Sequence, residues 1–373
     1  RDDGLYHAYN LIRFSRNKIS IRPLYDMLEG QVAALSTGHL DADSSLRILD
    51  AMKSSGLFRE DQFSYMLYPD RELPRFVDKN NLPEEAVDNS PLLARLLEDD
   101  KQTIVARDDA GVVHFCSDFH NAAHLAEALD ALPSTRYGDL VAEERGHVLD
   151  VYETMFDHQS FTGRSGTFYA YEGLGCIYWH MVSKLLLAVS ETYHRVAADG
   201  ASPDVLGKLK DHYYEIKAGI GLFKSPALYG AFPTDAYSHS VREAGVKQPG
   251  MTGQVKEDVI SRFAELGVSI SDGAISFDPL LMSPEEFLKA PARFSFVSQE
   301  GKEVQITLSA GQMAFTLCQT PVIYTRAEQP GITLHRSGGS SEEIAGKCLS
   351  AIDSEALFSR RAEIARIDVR VVI

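Results

Sequence analysis

Residues 157–179 combine small, polar and aromatic side chains that could bind a ligand. After His158, the segment Thr162-Gly163-Arg164-Ser165-Gly166-Thr167 offers closely spaced backbone N–H groups, three hydroxyls and a guanidinium. A helical pattern follows directly, so these N–H groups would lie at a helix N-terminus, where an oxyanion is favoured. We therefore predict an anion site formed by His158, Thr162, Gly163, Arg164, Ser165, Gly166 and Thr167.

The same run then becomes aromatic, with Phe168, Tyr169, Tyr171, Tyr178 and Trp179. Flat aromatic faces with tyrosine hydroxyls suit a polyhydroxylated ring such as a sugar, so Tyr169 and Tyr171 are predicted to bind substrate. The alternative is a helix N-cap followed by a buried aromatic helix. Glu172 is a candidate catalytic carboxylate; alternatively, it is an acid favoured by the helix dipole.

A second segment, residues 61–71, alternates aromatic and polar side chains beside a turn. Its predicted substrate-binding residues are Tyr65, Tyr68, Asp70 and Arg71, which could form a wall against a sugar ring. The alternative is an ordinary structured loop.

A third segment, residues 114–120, lies at a predicted transition from strand to helix. Asp118 and His120 are close enough to act as an acid/base or orienting pair, and both are predicted to bind substrate. Asp118 is equally a plausible helix N-cap. A zinc site in this segment would follow no established ligand spacing, so no metal and no organic cofactor are predicted.

A fourth segment, residues 217–258, includes a stretch from 218 to 253 with glycines, prolines and aromatic residues but no periodicity; a helix is predicted from 252 to 266. Loops as long as 218–253 are usually functional. Asp235 and His239 lie four residues apart and are predicted to be catalytic, because glycosyl transfer needs a carboxylic acid for the leaving oxygen. The predicted substrate contacts are Lys224, Tyr229 and Gln248. The alternative is turn capping by Asp235 and a solvated His239.

The composition narrows the class of protein. The chain has 373 residues, 44% of them hydrophobic, with a formal net charge of −16 and a pI near 5.2. This acidity argues against nucleic-acid and membrane partners.

The apolar run at 176–189 is too short and polar to span a bilayer, and no signal peptide is visible. We expect a cytoplasmic protein, or a periplasmic one if the N-terminus is processed. The four cysteines are expected to be free and mostly buried.

The hydrophobic period changes along the chain. Helical periods dominate up to about residue 265, including 24–36, 44–55, 91–98, 120–132, 139–156, 167–198 and 202–217. Alternating, strand-like patterns follow from Val268, with one short helix near 341–347. These patterns predict a mainly α fold with a C-terminal β region: an α/α toroid, or part of one, over residues 1–267, and a small antiparallel sheet or sandwich over 268–373.

These features resemble the C-terminal half of the cellobiose-phosphorylase-like glycoside phosphorylases, which have an (α/α)6 six-hairpin toroid followed by a β region. In that family a Thr-Gly pair before an aromatic helix binds phosphate; Thr162-Gly163 and Ser165-Gly166 both fit here. The segment Asp272-Gly273-Ala274-Ile275-Ser276-Phe277-Asp278-Pro279 is similar to the turn that follows the family's toroid. The resemblance spans residues 130–335.

The resemblance implies inverting phosphorolysis of an oligosaccharide, with inorganic phosphate as co-substrate. The general-acid aspartate of that family lies more than two hundred residues before the Thr-Gly pair, and this chain is too short upstream to hold it. A missing N-terminal part of a larger chain, or a homo-oligomer, is therefore an expected partner. The alternatives are a glycoside hydrolase on the same scaffold, and a non-catalytic glycan-binding part of a larger assembly.

Overall fold

The computed structural model describes residues 1–15, 18–70, 72, 74–157, 175–222, 225, 227, 237–241, 245–249 and 252–373. The chain forms two compact units. The first consists of Arg1–Gln31, Asp50–Tyr178 and His239–Gly245. The second consists of Val32–Leu49, Trp179–Ser238 and Val246–Ile373.

The N-terminal elements include a hairpin that the sequence patterns did not predict. Strands β1 (Asn10–Ser15) and β2 (Lys18–Pro23) pair in antiparallel register. Helices α1 (Leu28–Ser36) and α2 (Ala42–Ser54) follow close to their predicted positions. The short strands β3 (Phe58–Arg59) and β4 (Ser64–Tyr65) then form a second antiparallel pair.

A group of helices with its own core follows. Its elements are α3 (Phe76–Lys79), α4 (Glu84–Asp88), α5 (Pro91–Glu98), the hairpin β5 (Val105–Arg107) and β6 (Val113–Phe115), α6 (Ala122–Asp130) and α7 (Ser134–Phe156). Their apolar faces bury one continuous cluster of side chains between Leu82 and Phe156. The N-cap of α6 is Asn121, whose side chain accepts from two backbone N–H groups, so the prediction of Asp118 as cap was wrong.

The second unit is built on three longer helices. They are α8 (Trp179–Ala198), α9 (Pro203–Lys217) and α10 (Thr252–Glu265), and α8 packs against both of the others. The helix predicted for 202–217 is confirmed as α9: Ser202 caps it and Pro203 occupies its first turn. The prediction of helix from residue 167 was wrong at Ile177–Tyr178. These two residues form strand β7, which pairs with β8 (Tyr237–Val241); β9 (Gly245–Pro249) comes next along the chain.

The C-terminal β region contains strands and one helix. They are β10 (Val268–Ser271), β11 (Ala274–Phe277), β12 (Ala292–Val297), β13 (Glu303–Leu308), β14 (Gln312–Leu317), β15 (Thr320–Arg326), β16 (Gly331–Arg336), β17 (Ser341–Ala345), α11 (Ala351–Phe358) and β18 (Ile364–Val371). Five strands form a sheet in the order β14-β15-β18-β16-β17. Because β15 and β18 pair in parallel, the expectation of a purely antiparallel sheet was wrong at this pair. The helix predicted near 341–347 is also wrong, since Ser341–Ala345 pairs with β16.

The described residues therefore confirm a chain that is largely helical before residue 266 and is followed by small sheets. The toroid arrangement stays a prediction, and so does the domain boundary after residue 267. Within the described part, no helix has the length and apolar character needed to cross a membrane. The four cysteines are free, but the prediction of burial was wrong: Cys348 is exposed and the other three are half-buried.

Candidate functional site

A cavity of about 580 Å³ lies in the first unit, within the size range of small-molecule sites. Most of its polar lining comes from the predicted substrate-binding segment and its immediate neighbours. The lining residues are Phe58, Arg59, Glu60, Asp61, Met66, Asp70, Glu72 and Gly175.

Backbone hydrogen bonds bring two of the predicted segments together at this cavity. The N–H of Leu67 donates to the carbonyl of Cys176 at 2.8 Å, and the N–H of Gly175 donates to the carbonyl of Tyr68 at 3.3 Å. The end of the 157–179 segment therefore lies alongside the 61–71 segment, although about a hundred residues separate them in sequence.

Strand β7 connects a third predicted segment to the same place. Tyr178 lies opposite His239, and Ile177 lies opposite Ser240, in the antiparallel pair of β7 and β8. The backbone of the predicted catalytic His239 thus pairs with a residue two positions along the chain from Cys176. Three of the four segments chosen from the sequence meet around residues 175–178.

Gly175 allows the chain to pass close to the side chain of Asp70. Its φ is +64°, in the region that favours glycine, and a Cβ built on it would lie 2.8 Å from Oδ1 of Asp70. The absence of a side chain at this position therefore leaves room for the Asp70 carboxylate at the cavity wall.

The pair β3–β4 contributes another part of the lining. The Arg59 guanidinium is 5% exposed and donates two hydrogen bonds to Asp61, at 2.8 and 2.9 Å. The rings of Phe58 and Tyr65 meet edge to face at 5.3 Å. Since Tyr65 is 1% exposed, the structure places its ring in the packing behind the cavity.

Carboxylates dominate the charge of the cavity lining that the structure describes. Among these described residues, four carboxylates, from Glu60, Asp61, Asp70 and Glu72, accompany one arginine that is already bonded to Asp61. Burial raises the pKa of the adjacent Cys176 thiol, and the charge of Asp70 adds to this effect while Arg59 opposes it. Such a lining accepts hydrogen bonds from hydroxyl groups and repels a free phosphate ion.

The segment 114–120 occupies a different place, in the helical group around α7. Phe119 is buried in that core, and its carbonyl accepts a hydrogen bond from the Tyr152 hydroxyl at 3.2 Å. The rings of His120 and His124 lie 5.3 Å apart. Asp118 and His120 do not line the cavity.

Many predicted site residues lie outside the residues that the structure describes, and their roles stay predictions. They are Arg71, His158, Thr162, Gly163, Arg164, Ser165, Gly166, Thr167, Tyr169, Tyr171, Glu172, Lys224, Tyr229 and Asp235. For His239 and Gln248 the structure gives the strand but not the side chain. Trp179, at the end of the aromatic run, is fully buried, as the alternative interpretation of that run expects.

Sequence reasoning missed Phe58, Arg59, Glu60, Glu72 and Gly175 as lining residues. One available signal was the density of acidic residues at positions 60–72, on both sides of the aromatic wall. No local signal was available for Gly175, because its role depends on a contact with Asp70 far away in sequence.

Residues 73–159 match the family model of the GH149 phosphorylase insertion domain 2. The matched range contains helices α3–α7 and the whole of their core cluster. The match supports a remote similarity to glycoside phosphorylases, through an insertion domain. No curated protein matches the chain at a significant level.

Proposed function

We propose that this chain acts in the phosphorolysis of an oligosaccharide, as a glycoside-phosphorylase-like protein. The match of residues 73–159 to a phosphorylase insertion domain carries the proposal. The acidic cavity in the same unit supports it, because carboxylates that accept hydrogen bonds from hydroxyl groups suit a neutral sugar.

In the proposed reaction, inorganic phosphate attacks the anomeric carbon and displaces the leaving sugar with inversion. A carboxylic acid protonates the leaving oxygen, and the products are a sugar 1-phosphate and a shortened oligosaccharide. Asp70 would bind sugar hydroxyls at the cavity wall. Glu172 and Asp235 are the carboxylates proposed for proton transfer, with His239 as an orienting group.

We assign the phosphate to residues 158–167 and not to the acidic cavity, because Arg164 and backbone N–H groups would attract a phosphate ion, while the four carboxylates of the described cavity lining would oppose it. A charge-assisted contact of this kind contributes about 1.5–3 kcal/mol. Arg164→Ala should therefore weaken phosphate binding by about tenfold or more. The control is Arg293→Ala, at an exposed arginine, which should leave phosphate binding unchanged.

The deciding experiment is a screen of oligosaccharides with and without phosphate, with detection of sugar 1-phosphate and free reducing sugar. Phosphate-dependent release of sugar 1-phosphate is the expected result. Release of reducing sugar that does not need phosphate would instead establish a hydrolase. Binding of oligosaccharides without turnover would contradict the enzymatic proposal and establish a glycan-binding part.

A further inference from the structure

A second and larger cavity, of about 810 Å³, lies in the same unit as the acidic cavity. Its walls include Asp2, His7, Tyr25, Asp26, Tyr68 and Pro69. The volume is within the range that small-molecule ligands occupy in proteins. No part of the proposed reaction uses it.

The side chains of this cavity combine a flat aromatic surface with charged hydrogen-bonding groups. Tyr25 is 52% exposed, so a ligand can reach its ring, whereas Tyr68 is 8% exposed and sits in the wall. The guanidinium of Arg1 forms ion pairs with both Asp3 and Asp26 at the cavity edge. An aromatic face beside fixed donors and acceptors matches the apolar face and the hydroxyl rim of a sugar.

The charge of the cavity disfavours two other ligand classes. Among the described residues, three aspartates and one arginine line it, which disfavours an anion such as a free phosphate. The charged groups at its edge would lose hydration against a purely apolar ligand, which is also unfavourable. A neutral polyhydroxylated ligand meets neither penalty.

The two cavities share one piece of chain as a wall. Tyr68 and Pro69 line the larger cavity, and Met66 and Asp70 line the acidic one. Since consecutive Cα atoms are about 3.8 Å apart, Pro69 and Asp70 place the cavities next to each other. The two cavities are therefore neighbours along this piece of chain.

We propose that the Tyr25 cavity is a second sugar subsite, which binds a more distant residue of the oligosaccharide whose other residue occupies the Asp70 cavity. This proposal rests on the proposed function for the identity of the ligand. It adds that affinity grows with chain length, because only longer oligosaccharides reach the Tyr25 ring.

The test compares Tyr25→Ala with the wild-type protein and with Tyr6→Ala. Tyr6 is an exposed tyrosine in the same unit and is not in the lining of either cavity, so its loss controls for removal of a surface aromatic ring. Calorimetry with gluco- and manno-oligosaccharides of two to six residues measures binding, and a phosphate-dependent assay on the same ligands measures turnover.

We expect Tyr25→Ala to weaken binding of the longest oligosaccharides by about fivefold or more and to leave disaccharide binding unchanged, while Tyr6→Ala matches the wild type. Equal affinities of all three proteins for every chain length would overturn the subsite, as would a wild-type protein that binds none of the oligosaccharides. Length-dependent binding that requires Tyr25, in a protein without turnover, would support the subsite and reject phosphorolysis. Turnover that does not depend on Tyr25 would support phosphorolysis and reject the subsite.

Discussion

At the scale of single residues, Gly175 connects the cavity to the backbone that shapes it. Gly175 has a positive φ, and it also lies close to the Asp70 carboxylate. These are two separate reasons for a glycine, and only the closeness to Asp70 concerns the site. Gly111 also has a positive φ, +86°, but a Cβ added there would have no neighbouring atom within 4 Å. The two glycines thus allow backbone strain to be separated from displacement of Asp70.

The first prediction uses this pair. Both Gly175→Ala and Gly111→Ala should lower the free energy of unfolding by about 1–2 kcal/mol, because alanine is strained at positive φ. Only Gly175→Ala should also reduce oligosaccharide binding, since its methyl group displaces Asp70 from the cavity wall. Chemical denaturation and calorimetry measure the two effects. Equal ligand affinity in both variants would contradict the role given to Asp70.

A second residue-scale prediction concerns His114. The carbonyl of Asn80 raises the pKa of His114, and Asp108, 3.1 Å from its Nε2, adds to this effect while burial opposes it. A raised pKa in the folded protein means that the contribution to stability is fully present below the ordinary value of about 6.5. That contribution is lost as the pH rises through the folded-state pKa.

His114→Gln should therefore lower the melting temperature most at about pH 6 and progressively less toward pH 8. His39→Gln, at an exposed histidine, serves as the control and should leave the melting temperature nearly unchanged at every pH. Thermal denaturation across this range is the measurement. A melting-temperature loss for His114→Gln that grows toward pH 8 would show that the neutral imidazole is the stabilising form.

At the scale of elements, helices α9 and α10 are joined through Glu265, which is 1% exposed. Its carboxylate accepts hydrogen bonds from Tyr213 at 2.6 Å, from Lys217 and from Arg262. Burial alone would raise the pKa of Glu265, but these three donors outweigh it and the pKa lies below its ordinary value. Glu265 is therefore paired within the protein, and its role is structural.

Removal of this carboxylate should be costly. Glu265→Ala removes the acidic partner of Lys217 and leaves Arg262 paired with Glu286 alone, and the loss of this buried carboxylate is expected to cost about 3 kcal/mol. Glu285→Ala removes an exposed carboxylate and should change the free energy of unfolding by less than about 0.5 kcal/mol. Urea denaturation compares the two. Similar midpoints would show that the two cations do not need Glu265.

Element predictions from sequence succeeded where a local signal exists. The start of α9 could be predicted because Ser202 and Pro203 supply both a cap and a preset φ. The hairpin β1–β2 was missed because its apolar residues, such as Ile12, Ile19 and Ile21, face solvent and do not mark a buried side. Strand β17 was missed because its conformation depends on pairing with β16 and not on its own composition.

The candidate site shows the same limit. Residue types alone indicated Asp70 and the 61–71 and 157–179 segments as candidates, and the structure places Asp70 in the lining of the cavity. It did not predict that Leu67 bonds to Cys176, or that Tyr178 lies opposite His239. Periodicity indicates local conformation, whereas these contacts join parts of the chain that are far apart in sequence. The amino-acid composition does not indicate which distant segments will come together when the intervening loop closes.

At the scale of the whole molecule, the range that matches the phosphorylase insertion domain also has a self-contained core. Every buried side chain of that cluster lies between Leu82 and Phe156. We predict that a fragment of residues 73–159 folds alone, because the length and the separate core are those of an independent domain. Circular dichroism should show helical structure and a cooperative thermal transition. Leu93→Asp, in the centre of the core, should abolish both. A fragment without a cooperative transition would show that this core needs the rest of the chain.

The interleaving of the two units has a consequence for the order in which a ribosome delivers the chain. Residues 32–49 of the second unit emerge early, but their partners from residue 179 onward emerge much later. The first unit in turn needs residues 239–245 before it is complete. Domains usually fold as units during synthesis, from the N-terminal end onward. The core between Leu82 and Phe156 comes from one continuous range that emerges early, so it can fold first. The strand β8, which contains His239 and pairs with β7, emerges much later.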